Sequence, residues 1–202
     1  MKSLVAKLMV PASLLAAGLC MSCRAEDYVS KVVVPVPGLM EAYDNPVAEA
    51  LHKANPDKKA GVAYLLDISG SMSDVIKDNK GEDVRKIDVL KKFPFPVGAD
   101  VYVFSGCAGG KDGMFIEDVK ADCGTPMLTS INYVMGKKPY EKVITLTDGA
   151  NNEELVSTRT VLDYAKQNGV KLSFVPVGVS TSTQLDLERI AQSTGGEMIP
   201  VE

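Results

Sequence analysis

At 202 residues the chain suits one ordinary domain with a sizeable core, and 46% apolar against 24% charged residues is the balance of a soluble globular protein. Its formal charge of −4 comes without basic runs or aromatic clusters, which argues against nucleic acid and anionic membranes as partners. The first residues differ from the rest. Lys2 and Lys7 make a basic start, Leu8 to Met21 is apolar except for Ser13, and Cys23-Arg24-Ala25 puts small residues at −3 and −1 of a cleavage site. That layout predicts a secretory signal peptide over residues 1–25, too short to span a membrane as a helix. The alternatives are a buried N-terminal helix or lipid attachment at Cys20 or Cys23, but Leu19 is too bulky before Cys20, and Cys20-Met21 ahead of Cys23 departs from the usual pattern. Cleavage near Ala25 takes Lys2, Lys7 and Arg24 and no acid, so the charge becomes −7. No transmembrane segment is then expected, and the protein should be periplasmic or secreted.

Residues 26–60 read as a lead-in. Lys31-Val32-Val33-Val34-Pro35-Val36-Pro37 predicts a short edge strand, because its prolines cannot donate to a ladder. A helix is expected from Asn45-Pro46 through Lys53. From Gly61 onward, apolar strands alternate with helical patterns. Strands are predicted at Val62 to Ile68, Asp100 to Ser105, Met114 to Val119, Val143 to Thr147, Lys171 to Val179 and Met198 to Val201. Helices are predicted at Asp83 to Phe93, Met127 to Met135, Glu153 to Gln167 and Gln184 to Ser193. This alternation implies an α/β domain over 61–202: a doubly wound, mainly parallel open sheet with helices on both faces and one short antiparallel edge strand. Pro176 strains that reading, although it lies near the carboxyl end of its strand.

The chemistry concentrates where the first strand ends. Asp67-Ile68-Ser69-Gly70-Ser71 puts a carboxylate and two hydroxyls within five residues. Thr125 in Gly-Thr-Pro and Asp148 in Thr-Asp-Gly supply two further oxygens, Asp148 also at a predicted strand end. Ligands of open α/β sheets bind beyond the carboxyl ends of the strands, and hard oxygens suit Mg²⁺, Mn²⁺ or Ca²⁺. Each fragment alone is commonly a helix cap or a turn. Together, Asp-x-Ser-x-Ser, Thr125 and Asp148 resemble the metal-ion-dependent adhesion site of the von Willebrand factor type A (vWA) family. Val175-Pro176-Val177-Gly178-Val179 is similar to that family's penultimate strand. Leu187-x-x-Ile190-Ala191-x-x-Thr194-Gly195-Gly196 is similar to its last helix and the turn that follows. The spacings between the ligand loops are compact for the family.

The resemblance implies a dication held by Asp67, Ser69, Ser71, Thr125 and Asp148 with a position left for the Asp or Glu carboxylate of a protein partner. It also implies that the loops carrying Cys107 and Cys123 share the ligand rim. A disulfide between them is permitted by export, the alternative being two reduced buried thiols. Gly70, Gly124 and Gly149 are expected to serve turns and close backbone approach. His52 is the only histidine and reads as a surface or packing residue, too isolated for a zinc site. Glu153-Glu154 reads as a solvated helix start. No phosphate loop or dinucleotide fingerprint is present. The expected function is therefore binding rather than catalysis. The alternatives are a metal-dependent hydrolase working at the same rim, and a vWA subunit of an envelope or surface assembly.

Overall fold

The computed structural model describes residues 24–34, 60–78, 80–96, 99–106, 113–149 and 155–200. Most of the expected signal peptide, Cys20 and Cys23, the helix carrying His52, Cys107 and Glu153-Glu154 lie outside the described residues. The strands are β1 (Val29–Val33), β2 (Ala60–Asp67), β3 (Val75–Lys77), β4 (Asp83–Arg85), β5 (Asp100–Phe104), β6 (Met114–Phe115), β7 (Tyr140–Thr147) and β8 (Lys171–Pro176). The helices are α1 (Lys86–Lys91), α2 (Met127–Lys137), α3 (Thr158–Asn168) and α4 (Thr181–Thr194). Among the described residues no helix is long and apolar enough to cross a membrane.

Six strands form a mixed, mostly parallel sheet in the order β6-β1-β5-β2-β7-β8, while β3 and β4 pair as a separate antiparallel hairpin. β2 runs parallel to β5 on one side and to β7 on the other, and β8 extends the parallel set beyond β7. β1 is the antiparallel member, lying against β5 with the two-residue β6 outside it. The chain leaves β2 for β5 on its left, then returns past β2 to β7 on its right. The strand order thus reverses at β2, and the end of β2 is the switch point where an α/β sheet opens a crevice.

Side chains alternate along the strands and build two cores. Ala63, Leu65, Tyr102, Phe104, Val143, Leu172 and Phe174 face α2, α3 and α4, which contribute Leu128, Ile131, Val161, Leu187 and Ala191. Tyr64, Leu66, Val101, Val103, Ile144, Leu146 and Val175 face the other way, onto Met72, Ile87, Leu90, Ile116 and Val119. Each fully buried Leu or Phe contributes roughly 1.5–3 kcal/mol of transfer free energy. The expected helices on both faces are present unequally among the described residues: three on one face, and the short α1 on the other. Right-handed crossovers explain this, because strands added on opposite sides of β2 must be reached over opposite faces. β5 is added on the left through α1. β7 and β8 are added on the right through α2 and α3.

Several elements depart from expectation. The polar stretch after β2 is a 3-10 turn, Gly70–Ser73, followed by the β3–β4 hairpin, so α1 begins at Lys86 rather than Asp83. Met114 to Val119 gives only two strand residues before a 3-10 turn at Ile116–Asp118. α3 begins at Thr158, where Ser157 caps the backbone N–H of Thr160, and ends at Gly169 in the left-handed conformation. The expected last strand is reduced to one parallel bridge between Phe174 and Met198. β1 starts at Val29 and has a neighbour on each side, so it is not the edge. Pro176 closes β8 opposite Thr147, where its missing N–H interrupts no longer ladder.

Candidate metal centre

Asp67 is the last residue of β2, between β5 and β7, and has no solvent exposure. One carboxylate oxygen accepts the Ser69 backbone N–H at 2.9 Å, which folds the chain back into the loop. The other accepts the Thr147 hydroxyl at 2.6 Å, and that hydroxyl in turn accepts the Gly149 N–H at 2.8 Å. The ends of β2 and β7 are thereby locked together through side chains. The Ser69 and Ser71 hydroxyl oxygens lie 3.2 Å apart, Ser69 buried and Ser71 partly open.

The Thr125 loop is fastened to this loop by backbone hydrogen bonds. The Gly70 N–H donates to the Cys123 carbonyl and the Asp122 N–H to the Ile68 carbonyl, both at 2.8 Å. The Gly106 N–H reaches the Gly124 carbonyl at 2.9 Å. A Cβ at Gly70 would sit 3.4 Å from the Cys123 carbonyl oxygen, so the two loops are in van der Waals contact. Thr125 is buried immediately before α2. Asp148 follows β7 and is also buried, at 8% exposure. Its Oδ2 accepts the Lys86 ammonium at 3.0 Å.

Burial pushes the Asp67 carboxyl up to about 6; the Asp148 charge adds to the rise, and hydrogen bonds from Ser69 and Thr147 oppose it. Two carboxylates close enough to repel, beside the Ser69 and Ser71 hydroxyls, form an environment that a dication would relieve. The donor chemistry fits a hard cation. Among the described residues no group of three or more His, Cys, Asp or Glu is placed for a metal. A site here therefore depends on hydroxyls and two carboxylates, and softer ions that favour imidazole or thiolate are poorly matched.

The five expected donors thus fall on three neighbouring loops at one rim. Asp67, Ser69 and Ser71 share one hydrogen-bonded turn, Asp148 is within electrostatic reach of Asp67, and Thr125 lies on the loop that Gly70 ties down. Two participants escaped the sequence reading. Thr147 reads as an ordinary strand residue until its hydroxyl is seen on Asp67. Lys86 reads as an ordinary lysine inside a helix expected from Asp83; only the structure shows it at the helix start, where a cation opposes the dipole.

No family model matches the chain, and no curated protein matches it. Among solved structures, the chain is similar to an uncharacterized membrane spanning protein from Vibrio fischeri at 17% identity, covering 69% of this chain and 90% of that one. The TM-score of that pair is 0.26, too low to bear on fold or function.

Proposed function

We propose that this chain is an exported vWA-type module, with that family's doubly wound sheet, whose rim binds Mg²⁺ or, with similar donors, Mn²⁺ or Ca²⁺. Asp67, Ser69, Ser71, Thr125 and Asp148 would hold the ion, and a Cys107–Cys123 disulfide would brace the Thr125 loop. An ion held mainly by neutral hydroxyls keeps an electrophilic position that an Asp or Glu carboxylate of a protein partner can fill. The role is capture, not turnover. The observation that carries this reading is the Asp67–Ser69–Ser71 turn, its first two residues buried, stitched to the Thr125 loop through Gly70 and to the Asp148 strand through Thr147.

The test is calorimetric. Mg²⁺ or Mn²⁺ should raise the melting temperature of the mature protein, since a ligand at a hundredfold excess over Kd adds about 2.7 kcal/mol. Asp67→Ala should fold and show no such rise. A wild-type protein indifferent to millimolar metal would overturn the proposal.

A further inference from the structure

Lysine is almost never fully buried unless paired. Lys86 is 8% exposed, and the carboxylate it grips is that of Asp148, side chain 4% exposed, at 3.0 Å. Its second partner, Asp74, is 3.5 Å away and largely in water. Three elements hold the ammonium in place. The first turn of α1 provides the residue, and Asp74 lies between the 3-10 turn and β3. Gly178, after β8, leaves space for the stem: at φ +63°, a Cβ there would come within 3.0 Å of Lys86 Cε and 2.8 Å of Ile76 Cγ2. The Lys86 stem is thus packed against the Gly178 backbone rather than left free at the surface.

Resting on the metal-binding reading above, we propose that Lys86 is a resident countercharge of the centre. It weakens the grip on the cation and keeps the loaded site positive, so that the site demands an anionic ligand. Asp67 and Asp148 alone would neutralise a dication. The added ammonium leaves a net positive charge, which exposed Asp74, 3.5 Å away, offsets only in part. The charge therefore repels cations and attracts carboxylates at the same rim. Discrimination in favour of acidic partners is then built into the protein as well as supplied by the ion.

The test uses Mn²⁺ alone, followed by acetate as the carboxylate probe, read by Mn²⁺ paramagnetic resonance and water-proton relaxation. Lys86→Gln removes the charge but keeps an N–H for Asp148. It should bind Mn²⁺ about fivefold or more tightly, since a like charge within several ångströms is removed, and should bind acetate more weakly once loaded. Asp74→Asn, at an exposed position where folding is not at risk, should do the opposite on both counts, to a smaller extent. If Lys86 only orients Asp148, Lys86→Gln will match wild type or bind Mn²⁺ less well, which overturns the proposal; so does an Asp74→Asn protein indistinguishable from wild type. Should Lys86→Gln fail to fold, Asp74→Asn decides alone. Wild-type protein that takes up no Mn²⁺ overturns the metal reading itself, an outcome distinct from the others.

Discussion

Asp67 sits at the carboxyl end of a central strand with no solvent exposure, and its carboxylate accepts hydrogen bonds from Ser69 and Thr147, with no ion pair among the described residues. Because its folded-state value of about 6 stands above the 3.8 of the unfolded chain, the folded protein holds this proton more tightly. The group therefore costs stability at neutral pH, and that cost is relieved as pH falls from 6 towards 3.8. In chelator, wild type should gain stability relative to Asp67→Asn between pH 7 and pH 4.5, by about 2 kcal/mol. Urea melts of both proteins at the two pH values check this, and parallel changes would show that Asp67 does not titrate in that window. With Mg²⁺ present the difference should shrink, because a cation favours the charged form at both pH values. The placement of the five proposed donors on loops at one end of the sheet was legible in the chain, because oxygen side chains follow apolar runs in a recognisable order. Lys86 and Thr147 were not, since a lysine on a helix and a threonine in a strand are ordinary residues until tertiary contacts aim them.

The loops that carry the proposed donors are held by the elements that follow them. Gly149, at φ +79°, lies so close to the start of α4 that a Cβ would fall 2.1 Å from the Thr183 methyl carbon. The Asp148 loop and α4 are therefore packed to contact, and only glycine fits between them in that backbone conformation. Gly149→Ala should cost roughly 1–3 kcal/mol, from a strained backbone and a forced shift of α4 or the loop. It should also weaken Mn²⁺ binding, as Asp148 moves with its neighbour. Gly136→Ala is the control: it lies within α2 with nothing within 4 Å of an added Cβ, so it should stabilise by about 0.5–1 kcal/mol and leave metal binding unchanged. Thermal melts and Mn²⁺ titrations of the two variants decide the matter, and equal effects would disconnect α4 from the centre. Long strands such as β2 and β7 were readable as apolar runs. The β3–β4 hairpin was not, because its three-residue strands are exposed, half-buried and exposed in turn, and carry no apolar run. The start of α3 was placed early because Leu155 falls at helical spacing, yet Ser157 caps the helix and Leu155 remains exposed.

At the scale of the whole molecule, chain topology brings three distant segments to one rim. β2 delivers Asp67, the return from β5 to β7 delivers Thr125, and β7 delivers Asp148, all where the strand order reverses. Alternating apolar segments announced a mainly parallel sheet, but not the unequal helix cover seen among the described residues. That inequality depends on which side of β2 each strand joins, and periodicity carries no such information. The least regular of these segments is the one before α2, where Cys123 adopts φ +61° although it is not glycine. Holding a side-chain-bearing residue there costs about 1–2 kcal/mol, and the hydrogen bonds to Gly70 and Asp122 oppose that cost. A covalent tie to Cys107 would add about 3 kcal/mol by the chain-entropy estimate for fifteen intervening residues. Protein matured by export should therefore be two hydrogens lighter than after reduction, with no free thiol. Reduction should lower its melting temperature and loosen its hold on Mn²⁺, because the Thr125 loop would lose its brace. Cys107→Ser should reproduce both losses. Two titratable thiols in the unreduced mature protein would show instead that backbone hydrogen bonds alone keep Thr125 at the rim.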